Sequence, residues 1–459
     1  MSDASPGHPW YRDLTRYHWF VFVVAALGWL FDTMDQQLFT LARTPAMREL
    51  LASSPGVAPP KEAVDFYGPI TTSVFLVGWA IGGLIFGVLG DRIGRAKTML
   101  WTILIYSLCT GLSALSRNQY DFAFYRFITG LGVGGEFAVG VALVAEVMPD
   151  RSRAMALGWL QGLSAVGNIT AAVIAIFLGQ LEQAGVFENL ELFGVAIKPW
   201  RMMFLVGTVP ALLCLFIFKR LKEPERWRAA AEHGMHAKLG SYRELLGAPK
   251  WGPRAAIGLG LAFAGVVGLW GIGFFSADLI DSVYGKQLKA QNLSAQEIGG
   301  QLFKLKGVAF IMQNLGGFLG IYTFARVTHH LGRRATFAIF FVLAMLSTAL
   351  VFSQLDEYHE LYWMPFIMGF CQLALFGGYA IYLPELFPTR LRSTGTSFCY
   401  NVGRLVAAVG PFTFGVLNKA FAAHDEPMRY SGIAMCSIFL LGLLVLPFAP
   451  ETKGQPLPE

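Results

Sequence analysis

Two carboxylates lie in a stretch of sequence that is otherwise apolar. Asp32 and Asp35 fall within residues 20–41, which have the length and composition of a membrane-spanning helix. A charged carboxylate at the centre of a bilayer costs about 2.5–3.5 kcal/mol, so two of them indicate a use. Three residues apart on a helix, both acids lie on one face, where a single water-filled cavity would accept both. The pattern predicts a site that carries a proton or another cation; the alternative is that these short polar side chains cap or bend the helix.

Two arginines and a glutamate in other apolar segments are candidate partners for these acids or for a substrate. Arg126 lies in the first turns of its segment and stays charged at ordinary pH, although it could instead extend to the lipid headgroups. Glu136, further along the same segment, either belongs to a proton path or braces the helix. Arg404 has no acid nearby in sequence. Its planar guanidinium suits bidentate capture of a carboxylate, and a structural ion pair is the alternative.

The elements that must position these residues are helices that cross a membrane. The chain has 459 residues, of which 54% are hydrophobic and 14% charged, and its mean hydropathy is +0.50. These values are not those of an ordinary soluble protein. We expect an all-α membrane protein with about twelve transmembrane helices, each of spanning length. The apolar runs start near His18, Pro69, Lys97, Tyr120, Ala154, Met202, Ala255, Leu305, Ala335, Leu361, Thr394 and Tyr430.

The basic residues predict a topology. The net charge is +6, but Lys and Arg concentrate in alternate loops, which indicates a membrane orientation rather than a nucleic-acid partner. Arg12 and Arg16 precede the first apolar run, and no small-residue cleavage site follows it, so we expect an anchor and not a signal peptide. Both termini are predicted to be cytoplasmic, in a plasma or inner membrane.

The sequence repeats itself. Glu146 and Glu385 are 239 residues apart (385 − 146), and Arg153 and Arg392 have the same offset. We expect two six-helix halves, residues 1–218 and 254–459, with a binding site between them near the midplane. Residues 219–253 are charged and predict a solvated cytoplasmic linker, with or without interfacial helices.

Several motifs resemble those of the major facilitator superfamily. They are Gly-Val-Leu-Gly-Asp-Arg-Ile-Gly-Arg at 87–95, with a degenerate copy at 328–334, the glycine-rich segment at 126–134, Glu-Pro-Glu-Arg-Trp at 223–227 and Pro-Glu-Thr-Lys-Gly at 450–454. The acids of the first helix and the segment ending at Glu136 are similar to those of organic-acid and metabolite/proton symporters, a branch related to sugar porters. Residues 255–282 lack the paired glutamines with which sugar porters hold a hexose, which weighs against a sugar without excluding one.

The resemblance implies roles for particular residues. In related sugar/proton symporters an arginine at the position of Arg126 pairs with the first-helix acid, and here it leaves open whether that acid is Asp32 or Asp35, with Asp35 favoured. It further implies gating ion pairs between the halves at the inner helix ends, whereas the alternative is that these charges only retain the loops on the inner side. The gating residues are Asp91, Arg92, Arg95, Glu146, Arg153, Glu385 and Arg392.

Polar side chains on other spans are candidates for a substrate cavity. Each could equally be a hydrogen bond between helices. The candidate substrate-binding residues are Arg404, Gln161, Gln313, Asn314, Tyr379 and Asn401.

The predicted function is that of a secondary transporter that works by alternating access and symports a proton with a small organic anion. The alternatives are a facilitator or symporter for a sugar or other neutral solute, and a non-transporting sensor with the same fold. No Ser-His-Asp arrangement, metal-ligand spacing or phosphate loop is recognised, so we expect no enzyme activity, metal or cofactor. The expected partners are the substrate, protons and the lipid bilayer, and the chain is expected to be a monomer.

Overall fold

A computed structural model describes residues 9–52, 59–187, 190–212, 214, 220–232, 239–273, 275–291, 293–407 and 410–459. The fold within these residues is helical, apart from one two-stranded antiparallel hairpin. Its elements before residue 250 are α1 (Arg16–Leu50), α2 (Lys61–Arg92), α3 (Arg95–Ser113), α4 (Gln119–Val147), α5 (Asp150–Gln183), β1 (Glu191–Leu192), β2 (Val195–Ala196), α6 (Pro199–Val206), α7 (Glu225–Glu232) and α8 (Tyr242–Gly247). The elements that follow are α9 (Trp251–Val266), a π-helix (Val267–Gly273), α10 (Phe275–Ala290), α11 (Ala295–Leu331), α12 (Arg333–Gln354), α13 (Glu360–Leu386), α14 (Arg392–Ala407), α15 (Gly410–Ala420), α16 (Pro427–Met435) and α17 (Ile438–Val445). Short 3₁₀ turns occur at Trp10–Asp13, Thr389–Leu391 and Leu446–Phe448.

Local sequence explains where several helices begin. Thr15 accepts a hydrogen bond from the backbone N–H of His18, whose ring accepts one from the N–H of Thr15, so a capping box starts α1. Asn118 caps α4 by accepting from two backbone N–H groups, and Ser294 caps α11 in the same manner as Thr15 caps α1. These side chains satisfy N–H groups that the first helical turn leaves without partners.

The long helices have the composition of membrane spans. Nine helices in the described part of the chain are long and apolar enough to cross a membrane: α1, α2, α4, α5, α9, α11, α12, α13 and the pair α16–α17. The most apolar window of α5 has a mean hydropathy of 1.8, yet only 28% of it is buried inside the protein. An exposed apolar surface of that extent is typical of a helix that faces lipid. The other three predicted spans correspond to α3, to the region of α6 and to α14 with α15; the last two include residues outside the described ranges.

The helices pack as two groups that contact each other. Within the first half α2 packs on α4 and α1 on α5, and within the second half α11 packs on α13 and α9 on α14. Contacts between the halves run along α2 with α14 and along α5 with α11. The buried core extends through both halves as one cluster.

The repeat seen in the sequence has a counterpart in local geometry. Gly94 and Gly332, 238 residues apart (332 − 94), have φ angles of +112° and +90° at the tight turns before α3 and α12. Glu223 accepts from the N–H groups of Ala96 and Lys97 at 3.2 and 3.1 Å, and Glu451 accepts from those of Arg333 and Arg334 at 2.9 and 3.1 Å. A carboxylate therefore caps the equivalent helix in each half, where the N-terminal dipole favours negative charge.

Part of the predicted linker packs against the bundle, while most of its described residues are at least partly exposed. Leu239 and Leu245 are buried, and Tyr242 donates a hydrogen bond to the carbonyl of Leu84 in α2 at 2.9 Å. The linker sequence is charged overall, and Leu239 and Leu245 face the helices, whereas Leu246 is 53% exposed. Residues 219 and 233–238 of the predicted linker lie outside the described residues.

Candidate functional site

Asp35 in α1 and Arg126 in α4 form a buried ion pair. Arg126 Nη2 donates to Asp35 Oδ2 at 2.8 Å, and both side chains are at most 1% exposed. The other carboxylate oxygen of Asp35 accepts a hydrogen bond from the hydroxyl of Thr110 in α3 at 2.8 Å. The structure thus places Asp35, rather than Asp32, against this arginine.

Three aromatic rings surround the guanidinium of Arg126. Its Cζ atom lies 4.6, 5.1 and 5.2 Å from the ring centres of Phe39, Phe75 and Phe204. Within the described residues Asp35 is its single carboxylate neighbour within 4.0 Å, and Nε and Nη1 have no hydrogen-bond partner there. Cation–π attraction compensates part of the lost hydration. In the described part of the chain, Asp35 is therefore the one carboxylate that compensates the positive charge of Arg126.

Asp32 and Glu136 lie apart from this pair. Asp32 is fully buried and accepts from the amide of Gln36 at 3.3 Å, while Glu136 accepts from the hydroxyl of Thr102 at 2.8 Å. One carboxylate oxygen of each has no hydrogen-bond partner among the described residues. Asp32 is close enough to Glu136, Asp35 and Arg404 to interact with them electrostatically. The four residues predicted to handle protons are therefore neighbours, but only Asp35 and Arg126 form an ion pair.

A cavity of about 310 Å³ lies between the two halves. Helical stripes of residues from α1, α5 and α11 form much of its wall, and its volume is at the small end of the roughly 300–1,000 Å³ usual for ligand sites. Its polar wall residues include Gln36, Gln37, Gln161, Asn168, Gln313, Asn314 and Arg404, and its aromatic ones Trp29, Phe310, Phe376 and Tyr400. Neither Asp32 nor Asp35 is among the residues lining it. In this structure neither acid is part of the cavity wall: Asp35 contacts Arg126 and Thr110, and Asp32 contacts Gln36, which does line the cavity.

Arg404 in α14 presents a guanidinium group to this cavity. Its Cζ atom lies 3.6 Å from the ring centre of Trp79 and 4.7 Å from that of Tyr400, and Nη2 donates to the Tyr400 hydroxyl at 3.1 Å. Tyr400 in turn stacks on Phe137, with ring centres 4.2 Å apart. The aromatic contacts and the Tyr400 hydroxyl hold this cation at the cavity wall. A guanidinium group in this position can donate hydrogen bonds to a substrate carboxylate.

Two of the predicted substrate-binding residues lie elsewhere. Tyr379 is fully buried and donates to the carbonyl of Leu261 at 2.7 Å, which links α13 to α9. Asn401 is 1% exposed, and its amide donates to the carbonyl of Gly134 in α4 at 3.4 Å and to Ser397. Both donate hydrogen bonds between or within helices, and neither is among the residues that line the cavity. Gln161, Gln313 and Asn314 do line it.

A charged cluster joins the two halves at one end of the bundle, which we call the basic end. Glu146 of α4 accepts from Arg95 at 2.8 Å and from Arg392 of α14 at 2.7 Å, and Arg95 lies 3.0 Å from Asp91. Asp91 also accepts from the backbone N–H groups of Ser393 and Thr394 at 3.1 and 2.9 Å. Arg392 is therefore paired across the interface between halves, and Asp91 is bonded across it.

The other predicted gating residues make contacts within one half or with the linker. Arg153 bonds to Asp150 and to the carbonyl of Ala145, and Glu385 accepts from Arg333 at 2.8 Å. Arg92 donates to the carbonyl of Leu239 in the linker at 3.2 Å. Within 4.0 Å, the described residues Arg92, Arg153 and Glu385 form no ion pair between the halves, although Glu385 interacts electrostatically with Arg153 across them.

Residues 239–245 of the linker bridge the two halves, a contact that the sequence did not predict. The N–H of Gly240 donates to the carbonyl of Arg390 at 2.9 Å, and Arg390 pairs with Glu244 at 2.7 Å. Because Arg92 and Leu84 hold the same segment from the first half, it connects α2 to the start of α14. The internal repeat did not predict this bridge, because the linker lies between the two repeated halves and has no copy.

Several residues that line the cavity were not predicted, although their helical spacing indicates that they share one face. Trp29, Thr33, Gln36, Gln37 and Thr40 follow the helical spacing of one face of α1. Asp35 lies off this face, whereas Asp32, three residues after Trp29 and four before Gln36, lies at its edge. A stripe analysis of this helix, rather than attention to its charges, identifies the wall of the cavity.

Comparison with known proteins agrees with this arrangement. The family model described as Major Facilitator Superfamily matches residues 25–411 and 292–459. A probable 4-methylmuconolactone transporter of Cupriavidus pinatubonensis is 28% identical over 446 residues, covering 97% of this chain and 93% of the relative. The niacin transporter NiaP of Acinetobacter baylyi is 25% identical, covering 96% of each. A solved structure of the proton:xylose symporter XylE has a TM-score of 0.69 at 17% identity, covering 96% of this chain and 98% of XylE, and so shares the fold.

Apolar helices around a cavity between two halves define a multi-pass membrane transport protein. The chain belongs to the Major Facilitator Superfamily. This confirms the resemblance drawn from its motifs and the prediction that it is a transporter and not an enzyme.

Proposed function

We propose that this chain symports a proton with a small organic carboxylate by alternating access. The buried pair of Asp35 and Arg126 beside the cavity is the observation that carries the proposal. When Asp35 takes up a proton, Arg126 loses its single carboxylate neighbour within an aromatic cage, and an unpaired buried charge costs several kcal/mol. Protonation at this position therefore forces α1 and α4 to rearrange.

Arg404 supports a carboxylate substrate. It provides a cation on the cavity wall, and amide groups on α1, α5 and α11 surround the remaining space with donors and acceptors. Trp29, Phe310 and Phe376 suit a flat, unsaturated body. The names of two relatives, a probable 4-methylmuconolactone transporter and a niacin transporter, agree with compact ring compounds.

In the proposed cycle, protonated Asp35 releases Arg126, the carboxylate binds against Arg404, and the halves rock. Opening of the basic end separates Arg392 from Glu146, and release of the proton restores the pair of Asp35 and Arg126. Asp32 and Glu136 line the proposed proton path beside the pair.

The proposed topology has twelve spans in two six-helix halves of a monomer, in a plasma or inner membrane. The basic end is the proposed cytoplasmic side, because Lys and Arg concentrate there. The described ends of the chain lie there: the carbonyl of Trp10 accepts from the Ser152 hydroxyl at 2.7 Å, and the carbonyl of Pro458 accepts from Arg392 at 3.0 Å.

Uptake by proteoliposomes tests the proposal, with nicotinate and nicotinamide as matched probes of nearly equal size and different charge. We expect an inward proton gradient to drive nicotinate accumulation above that of protein-free liposomes, and to leave nicotinamide uptake unchanged. Asp35→Asn and the double variant Asp32→Asn/Asp35→Asn should abolish the response to the gradient. Arg404→Gln should abolish nicotinate binding.

Three outcomes would reject the proposal. Unchanged gradient-driven uptake in the double variant would contradict the proposal that these acids couple proton movement to transport. Counterflow of neutral solutes that survives loss of both acids would identify a facilitator, and tight ligand binding without flux would identify a sensor.

A further inference from the structure

The cavity has a second cation on its wall, distant from Arg404. Lys306 of α11 lines the cavity, and its Nζ atom lies 2.9 Å from Oδ2 of Asp281 in α10. The two side chains are 34% and 41% exposed. The pair is therefore accessible to solvent, in contrast to the buried pair of Asp35 and Arg126.

Lys306 lies towards the end of the bundle opposite the basic end. It precedes Leu331, the last residue of α11, by 25 residues (331 − 306), or about 37 Å of helix. Arg404 follows Arg392, at the start of α14, by 12 residues (404 − 392), or about 18 Å. Leu355, beyond the end of α12, and Pro365, near the start of α13, also line the cavity at this opposite end. A solute that enters from there meets Lys306 before Arg404.

Two carboxylates of α10 interact with Lys306. Asp281 is its ion-pair partner, and Asp278, one turn earlier in α10, interacts electrostatically with both Asp281 and Lys306. Loss of the lysine would leave two carboxylates beside the entrance, which would repel an anion. Loss of Asp281 would leave one lysine and one carboxylate, which would favour an anion.

We propose that Lys306 is the residue at which an anionic substrate first binds, and that the incoming carboxylate takes the place of Asp281. This inference rests on the proposed function of anion transport. Exposed charges at the entrance of a site raise the association rate of an oppositely charged ligand, and salt weakens the effect. Lys306 therefore selects anions on entry, whereas Arg404 holds the carboxylate once it is inside.

Initial rates of nicotinate uptake, measured over a range of concentrations, test the proposal. We expect Lys306→Gln to raise KM about tenfold with Vmax retained, within the range that electrostatic steering provides. Lys306→Arg should behave as wild type, and Asp281→Asn should lower KM. Added salt should lower the KM of Lys306→Gln towards the wild-type value, because it screens the repulsion of the anion by Asp278 and Asp281.

Lys304 provides the matched control, because it is an exposed lysine of the same helix that does not line the cavity. An equal rise in KM for Lys304→Gln would show a general effect of net charge and would overturn the proposal. So would an unchanged KM and salt dependence in Lys306→Gln. If wild-type protein transports nicotinate and Lys306→Gln matches it, the proposal fails and the proposed function stands. If wild-type protein transports neutral solutes alone, both fail.

Discussion

Arg392, from the second half of the chain, lies 2.7 Å from Glu146 of the first half, and both side chains are fully buried. Glu146 also binds Arg95, so the single carboxylate holds one arginine from each half. Separation of the halves at the basic end must break the contact with Arg392. The contact with Arg95 can stay, because both residues move with the first half. The cluster therefore favours the state in which the basic end is closed.

Arg392→Gln should shift the population towards a state open at the basic end. Glu146 keeps Arg95 as a partner in this variant, so no buried carboxylate is left unpaired. Ser397→Cys offers a reporter, because Ser397 is buried and donates to the carbonyl of Gly83 across the interface. We expect Arg392→Gln to raise thiol labelling at position 397 several-fold. Glu385→Gln, which breaks a pair within one half, is the control, and equal labelling in both variants would contradict the prediction.

Asp35→Asn should destabilise the protein by about 3–5 kcal/mol, because it leaves the Arg126 guanidinium buried without its counter-ion. The double variant Asp35→Asn/Arg126→Gln should recover most of that loss, since neither charge remains. Thermal unfolding in detergent measures both effects. Recovery of stability without recovery of proton-driven uptake is the expected combination, and additive losses in the double variant would argue against the pairing.

Gly240→Ala should weaken the linker bridge. Gly240 has a φ of +61°, where an L-residue costs about 1–2 kcal/mol, and a Cβ atom there would press on the backbone of Val88 in α2. Gly247→Ala, where a Cβ atom meets no atom within 4 Å, is the matched control. We expect a lower Tm and faster thiol labelling at position 397 for Gly240→Ala alone. Equal behaviour of the two variants would show that the bridge does not restrain the basic end.

Glu451 should make stability depend on pH. Burial alone raises the pKa of this carboxylate, but the backbone N–H groups of Arg333, Lys453 and Arg334, together with the charge of Arg333, outweigh it and lower the pKa below its ordinary value. A lowered folded-state pKa stabilises the protein above the unfolded-state pKa, and this contribution is lost as the pH falls through the folded-state pKa. The Tm of the wild type should therefore fall further than that of Glu451→Gln between pH 7 and about pH 3. Parallel pH profiles would contradict this.

Much of the fold followed from the sequence because its signals are local or periodic. Apolar runs of spanning length, the offset of 239 between Glu146 and Glu385, and the motif at 87–95 identified the class of protein and its family. The same reasoning selected Gln161, Gln313, Asn314 and Arg404, which the structure places on the cavity wall.

The tertiary structure decided which polar residues meet. In the sequence Asp32 and Asp35 are equivalent acids on one helix, yet Asp35 contacts Arg126 and Asp32 contacts Gln36. Tyr379 and Asn401 differ in no sequence feature from the polar residues that line the cavity, yet both bond between or within helices. A residue's partner depends on the rotation of its helix against a neighbour, and hydropathy does not encode that rotation. Composition and repeats thus determine that polar groups are buried in a membrane, whereas packing alone determines which of them are paired.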